Sequence, residues 1–298
     1  MKYDYSVNIL MPTYNRAEYL SVAIQTALAQ DYPNLSIIVS DDASTDNTKD
    51  MVEPYLKTGM LKYYRNQFNL GSSKNVYKLI HEYSDAEWFI LAADDDFFVD
   101  NYYISKAMSL IKRHSDVVLV HSNMYWLFEN KGGSLVLDKK ECSEITDGKW
   151  YFLHWYGTNP KCFLSPTVLC KTNIAKQLDC FCGNEYSDDW RCWLRVCLNG
   201  KIGYVDSNFS VFRVHETNYG ESTDVDLNMR AVKYVEEAYK YAKNKKVFSD
   251  ILLDNWYKRN IMYHFRNKYN NILNNDKLKA KIFAQRFTMK YPFICQWY

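Results

Sequence analysis

Three consecutive carboxylates, Asp94-Asp95-Asp96, stand two residues beyond the apolar run Trp88-Phe89-Ile90-Leu91. Adjacent anions repel and cannot be buried bare, so the triplet must face water, sit at a helix N-terminus or hold a cation. A second acidic group, Asp41-Asp42, ends the run Leu35-Ser36-Ile37-Ile38-Val39. A third, Asp188-Asp189, leads into Trp190-Arg191-Cys192-Trp193-Leu194-Arg195, where acids would suit the positive end of a helix dipole. The first two groups end apolar runs of strand length, so the elements behind them are strands whose ends carry carboxylates to a site.

Stepping along the chain, Val7-Asn8-Ile9-Leu10-Met11 reads as a buried strand stopped by Pro12, whose missing N–H ends a ladder. Thr13-Tyr14-Asn15-Arg16 is then a loop, and Leu20, Ile24, Ala27 and Leu28 recur at helical spacing within a helix predicted over 17–30. The run 35–39 is a second strand, followed by the cap-rich Ala43-Ser44-Thr45-Asp46-Asn47. Residues 60–65 make a third strand, and Asn69-Leu70-Gly71-Ser72 turns into a helix with Val76, Leu79, Ile80 and Tyr83 on one face. The acidic strand follows, then a helix marked by Tyr103, Ala107, Leu110 and Ile111, and a strand at 117–120. This alternation predicts an α/β fold with a mostly parallel sheet and helices on both faces. Ligands of such sheets bind beyond the carboxyl ends of the strands, which here carry Thr13-Tyr14-Asn15, Asp41-Asp42 and Asp94-Asp95-Asp96.

The dinucleotide fingerprint G-x-G-x-x-G is absent after the first strand, as is the phosphate loop G-x-x-x-x-G-K, so a nucleotide held here would rest its diphosphate on a cation. Further on, strands are predicted at 124–128, 167–170, 203–205 and 210–215, and a helix from Asp188. Trp150-Tyr151-Phe152-Leu153-His154-Trp155-Tyr156 has too many aromatics for a solvated loop. From about Val225 to the end the pattern is helical.

At 298 residues the chain can bury a substantial core, and its net charge of +2 gives no argument for nucleic acid as a partner. The eight cysteines lack paired metal-ligand spacing and read as reduced thiols. No run of about 18 apolar residues occurs, so neither a membrane span nor a signal peptide is expected and cytoplasm is the default location. Beyond Asp276 the chain carries Lys277, Lys279, Lys281, Arg286 and Lys290 with no acid, interleaved with Phe283, Phe287, Tyr291, Phe293, Trp297 and Tyr298. Such a basic aromatic end suits peripheral attachment to a membrane, or a helical cap or a surface between copies in a homo-oligomer.

Taken in order, these motifs resemble the family 2 glycosyltransferases, inverting sugar transferases of the GT-A fold. Met11-Pro12-Thr13-Tyr14-Asn15-Arg16 and Val39-Ser40-Asp41-Asp42 resemble that family's two nucleotide loops, and Asn69-Leu70-Gly71-Ser72-Ser73-Lys74-Asn75 its N-x-G…R-N segment, with Lys74 where Arg is usual. The stretch from Ala93 to Phe98 resembles the D-x-D metal motif, Asp188-Asp189-Trp190 the E-D motif of the catalytic base, and Phe212-Arg213-Val214-His215 a late strand end whose His lies near the metal.

The resemblance implies a nucleoside-diphosphate-sugar donor bound by Thr13, Tyr14, Asn15, Arg16, Asp41, Asp42, Asn69, Gly71, Lys74 and Asp94. It implies Mn²⁺ or Mg²⁺ on Asp95, Asp96 and His215, and Asp189 as catalytic base with Asp188 beside it. Two departures stand out. Ala93 replaces the usual first acid, so alignment on Asp100 favours Asp95 as metal ligand while a literal D-x-D pairs Asp94 with Asp96; and Asp188 replaces Glu. UDP is favoured over dTDP only in part, since both bases offer the same N3–H, and the acceptor would be a glycan or a lipid-linked glycan of the cell surface. Residues 1–122 would then bind the donor and 123–223 the acceptor and base, within one domain, with 224–298 a helical addition. The competing readings are a sugar nucleotidyltransferase and a catalytically silent nucleotide-sugar or glycan binding module.

Overall fold

The computed structural model describes residues 5–57, 59, 61–139, 141–155, 164–182, 188–215 and 222–297. They divide into two compact units, one formed by Met1–Asn184 with Val196–Val214, the other by Glu185–Arg195 with His215–Tyr298.

The first unit opens with β1 (Val7–Thr13), α1 (Ala17–Leu28), β2 (Leu35–Asp41), α2 (Thr48–Leu56), β3 (Leu61–Arg65) and α3 (Ser72–Lys78), which runs into a π-helical turn at Leu79–Tyr83. Then come β4 (Trp88–Leu91), β5 (Phe97–Phe98), α4 (Tyr103–Arg113), β6 (Val117–Phe128), β7 (Ser134–Asp138), β8 (Ile145–Asp147), α5 (Gly148–Leu153), β9 (Leu169–Lys171) and α6 (Thr172–Gln177). Helix α7 (Asp188–Cys197) precedes β10 (Lys201–Val214). The described residues form a ten-stranded sheet whose main path runs β3-β2-β1-β4-β9-β6-β10-β5. Pairs β3/β2, β2/β1, β1/β4 and β6/β10 are parallel, while β9 enters antiparallel between β4 and β6.

Strands β1, β2 and β4 are apolar almost without interruption because they are covered on both faces. Ile9, Met11, Ile37, Val39 and Ile90 pack with Leu20 and Ile24 of α1, Val52 of α2 and Ile104, Ala107 and Met108 of α4. The opposite face of β1 and β2 meets α3 and the π-helical turn.

Three sequence expectations change. Strand β1 continues through Pro12 to Thr13, paired with β2 to the end. Odd residues of β1 bond toward β2, whereas Leu10 bonds toward the β4 side, accepting from Ala92 N; Pro12 therefore turns its missing donor to the side where β4 has already ended at Leu91. The segments predicted separately at 117–120 and 124–128 are one strand, as are those at 203–205 and 210–215, with the irregularity in the long β6/β10 pairing taken up as register shifts between Tyr204 and Ser210. Cysteines 180 and 192 are disulfide-bonded, not reduced, while Cys142, Cys170, Cys182, Cys197 and Cys295 are free thiols. Bonding depends on how the fold places the sulfur atoms, which spacing along the chain does not report.

The second unit is helical. It contains the first turns of α7 and then α8 (Val225–Ala231), α9 (Lys233–Lys245), α10 (Asp250–Asn275) and α11 (Lys277–Lys290). Asp224, Ser249 and Asp276 each cap the helix that follows by accepting a backbone N–H. No described helix is long and apolar enough to cross a membrane.

Candidate active site

In the first unit the adjacent strands β2, β1 and β4 end side by side at Asp41, Thr13 and Leu91. The loops after β1 and β4 are joined through the acidic triplet. Thr13 Oγ1 donates to Asp94 Oδ2 at 2.8 Å, and Arg16 Nη1 bridges Asp94 Oδ1 at 3.1 Å and Asp95 Oδ2 at 2.6 Å. Asp96 Oδ1 accepts the backbone N–H of Arg213 at 3.0 Å, at the far end of β10. Its other oxygen, Oδ2, is buried and has no hydrogen-bond partner among the described residues.

Burial raises the Asp94 pKa to about 6, with the neighbouring Asp95 charge adding to it and Arg16 and Thr13 opposing. Asp96 is pushed well above the ordinary carboxylate range by burial and by Asp95. Burial raises the charged form of Asp94 and Asp96 in energy, and the orphaned Asp96 oxygen is a hard donor that a divalent cation would satisfy. The triplet therefore fits such a metal, although no cluster of three His, Cys, Asp or Glu side chains is assembled among the described residues. The remaining ligands would come from elsewhere, as from the oxygens of a diphosphate.

The acids after β2 are differently employed. Asp41 accepts from Ser44 N at 2.8 Å and from the Tyr63 hydroxyl, and pairs with Arg65 Nε at 3.3 Å. Asp42 accepts from Asn66 Nδ2 at 2.9 Å, Leu70 N at 2.8 Å and Gly71 N at 2.8 Å, so it holds the loop 66–71 in place. Asn69 Oδ1 also accepts from Gly71 N at 2.9 Å, and Gly71 takes φ +85°, a left-handed conformation that favours glycine. Asn15 ties the two nucleotide-like loops together: its N–H donates to Ser44 Oγ at 2.9 Å and its Oδ1 accepts from Thr45 N at 2.7 Å. Both Asn15 and Ala43 have positive φ, at 53° and 66°. Strained residues facing each other across two strand ends are typical of a site held in one geometry. Tyr14 is 44% exposed at the same edge, leaving its ring available to a planar ligand.

Residues beyond the candidate set also take part. Asn75, which ends the Asn69–Asn75 motif, is buried on α3: it accepts from Ser40 Oγ at 2.6 Å and donates to Ser40 O at 2.8 Å. Lys74 is exposed, and the cation that enters the network is Lys78, whose Nζ donates to Asn66 Oδ1 at 2.8 Å. Arg213 also matters beyond its backbone. It pairs with Glu129 at 2.6 Å and lies 4.7 Å from the centroid of Phe97, fixing the strand end that meets Asp96. The sequence signal available was weak, consisting of a lone basic residue beside His215.

In the second unit, Asp188 and Asp189 begin α7 as expected. Asp188 is buried and pairs with Arg191 Nη2 at 3.0 Å; Arg191 Nη1 reaches Glu237 at 2.9 Å. Asp189 is half-buried, as is His215, which directly follows β10. Of the aromatic run at 150–156, Tyr151, Phe152 and Trp155 are core residues, while Trp150 is exposed and stacked on His154 with ring centroids 4.2 Å apart; Tyr156 lies outside the described residues.

The profile for "Glycosyl transferase family 2" matches residues 8–158, half of the chain. The chain belongs to glycosyl transferase family 2. The protein is thus a glycosyltransferase using a nucleotide-sugar, and its mixed, mostly parallel sheet is of the GT-A type. Among curated relatives, the glycosyltransferase GlyG of Streptococcus pneumoniae is 22% identical over 217 residues, 70% of each chain. The poly(ribitol-phosphate) β-N-acetylglucosaminyltransferase TarS of Staphylococcus aureus is 25% identical over 197 residues, 64% of this chain but 32% of TarS. The crystal structure of TarS 1–349 superimposes with TM-score 0.67 at 18% identity, covering 91% of this chain and 75% of that one. The mannosyltransferase PcManGT of Pyrobaculum calidifontis, in complex with GDP-Man and Mn²⁺, gives TM-score 0.60 at 14% identity, covering 97% and 76%.

Proposed function

We propose that this family 2 glycosyltransferase moves a sugar, with inversion, from a uridine diphosphate donor to a hydroxyl of a cell-surface glycan or lipid-linked glycan, with Mn²⁺ or Mg²⁺ as cofactor. The observation that carries the reading is the pair of acidic strand ends: Asp42 builds a loop beside Tyr14, and Asp96 presents a buried, unpartnered oxygen beside Asp94 and Asp95. The complexes of TarS 1–349 with UDP-GlcNAc and of PcManGT with GDP-Man and Mn²⁺ support a nucleotide donor and a metal of this kind. A cytoplasmic location is part of the same proposal.

Tyr14 would lie against the uracil ring, and Asp42 Oδ2, which accepts one backbone N–H, keeps a lone pair for the uracil N3–H. Residues Thr13, Asn15, Asp41, Asn69 and Gly71 hold these loops, and Lys74 supplies an exposed positive charge near them in sequence. Arg16 balances Asp94 and Asp95 until the donor arrives, and its guanidinium is then free to turn to a phosphate. When bound on Asp95 and Asp96, with His215 as a further ligand, the divalent ion would neutralise the charge that builds on the departing diphosphate.

Asp189 takes the proton of the acceptor hydroxyl as that oxygen forms its bond to the anomeric carbon. The bond from that carbon to the phosphate oxygen breaks, its electron pair leaves with the diphosphate, and attack from the opposite face inverts the centre. Asp188, held by Arg191, would orient this helix start. Residues 1–122 would serve the donor and 123–223 the acceptor, with 224–298 as an addition. Asp189→Asn should lower transfer about a thousandfold while nucleotide binding by calorimetry persists. Normal turnover in that variant would overturn the assignment of the base.

A further inference from the structure

The basic segment beyond Asp276 turns several of its aromatic residues inward. Phe283, Phe287 and Tyr291 are buried, with Phe283 stacked on Phe265 of α10 and Phe287 tilted against it. The outward side of α11 instead carries three exposed aliphatic side chains, with the exposed Gln285 between Ile282 and Met289. Leu278 is 68% exposed, Ile282 40% and Met289 74%. At 100° per residue these three fall within about 40° of one another, roughly opposite Ala280, Phe283 and Phe287. The helix thus has an apolar face packed in the core and, on its outer side, an aliphatic ridge interrupted by Gln285, where an ordinary surface helix would have a polar outer side.

Basic residues border the bare ridge on both sides, with Lys281 on one and Lys279 and Arg286 on the other. Lys279, Arg286 and Lys290 have acidic partners, namely Asp276, Asp226 and Glu236, all outside the basic run itself. Even with these pairs the charge of the region is one-sided: residues 222–298 hold 15 Lys and Arg against 7 Asp and Glu, while residues 1–221 hold 22 against 28.

We propose that the outer ridge of α11, Leu278, Ile282 and Met289 with Lys277, Lys279, Lys281 and Arg286, docks the protein on an anionic lipid surface, the helix lying in the plane of the headgroups. Aliphatic side chains enter the acyl boundary while the flanking cations meet lipid phosphates. Charge decides against a second copy of the chain as the occupant. Two such ridges packed on each other would set basic flanks of the same sign side by side, whereas an anionic bilayer complements them. The proposal is independent of the transferase reading, since it concerns lipid binding by a surface with no part in the chemistry.

The test is flotation of the full chain with vesicles of phosphatidylcholine alone or with phosphatidylglycerol added, alongside sedimentation velocity without lipid. The wild type should float with the anionic vesicles only and be released at high salt. The double variant Ile282→Glu/Met289→Glu, altered only at exposed positions, should keep its thermal transition and its donor binding and lose vesicle partitioning roughly tenfold or more. Lys277→Glu/Lys281→Glu should weaken partitioning and leave even less salt dependence. Equal flotation with both vesicle types, or undiminished flotation of the Ile282/Met289 variant, would overturn the proposal. So would a dimer that the same variant dissolves in the absence of any lipid binding.

Discussion

Two acidic strand ends of one sheet carry similar sequences and opposite physics. After β2, the oxygens of Asp41 and Asp42 are occupied by backbone and side-chain donors, and the acids act as the scaffold of the loops around them. After β4, Thr13 and Arg16 donate to Asp94, Arg16 also reaches Asp95, the second oxygen of Asp96 is buried without a hydrogen-bond partner among the described residues, and burial raises the pKa of Asp94 and Asp96 above the usual carboxylate range. A carboxylate that is fully bonded builds structure; one buried with too few donors lowers stability and is ready for a cation. Acidic character alone did not distinguish them, and the donors around each do.

Substitutions should therefore move stability in opposite directions at the two ends. The largest effect is expected at Asp42→Ala, which removes the acceptor of Leu70 N and of one Asn66 Nδ2 hydrogen and leaves Gly71 N to Asn69 Oδ1 alone. A loss of about 2–4 kcal/mol in urea unfolding is expected, together with loss of nucleotide binding. At the other end, Asp94→Asn should stabilise the protein at pH 7 by on the order of 1–3 kcal/mol, because it removes a charge that the fold disfavours.

The sign follows from linkage. The folded-state pKa of Asp94, about 6, is above the unfolded value, so the native state binds more protons between them. Wild-type stability should fall as pH rises above about 4, with the share of Asp94 ending near 6 and that of Asp96, which is also raised, adding to it, and the Asp94→Asn variant should lose about half of the slope between 4 and 6. A variant that is less stable than wild type at pH 7 would break the contrast. A smaller loss, about 1–2 kcal/mol, is expected for Gly71→Ala, whose side chain meets open space but whose φ of +85° disfavours any other residue. Thermal melts would measure it. An unchanged melting temperature would mean the loop held by Asp42 is less fixed than its hydrogen bonds indicate.

How much was legible in the sequence follows the same division. Strands β1, β2 and β4 could be read because continuous apolar runs ended abruptly in polar residues, and their parallel arrangement followed from the helices between them. The acids themselves were visible, but not their different employment, since the donors that occupy Asp42 come from residues 66–71 and the Asp96 partner from Arg213, more than a hundred residues away. Asn75 and Lys78 were hidden for the same reason: a buried Asn and an exposed Lys look alike in a polar helix until the sheet packs against one side. Pro12 misled because whether a missing N–H matters depends on which neighbour the strand has at that position. In the C-terminal helices the pattern gave the elements, while which apolar face would be covered was settled by tertiary packing.

The central claim, that the strand end at Asp94–Asp96 takes the metal and diphosphate, is tested most directly by thermal shift with UDP, in Mn²⁺ and in EDTA, on wild type and Asp96→Asn. The account predicts that UDP raises the wild-type melting temperature with Mn²⁺ and much less with EDTA, because ligand bound to the native state stabilises it. It predicts that Asp96→Asn starts at a higher temperature and loses the Mn²⁺-dependent increment. A full Mn²⁺-dependent increment in Asp96→Asn, or an equal rise with EDTA in the wild type, would contradict it.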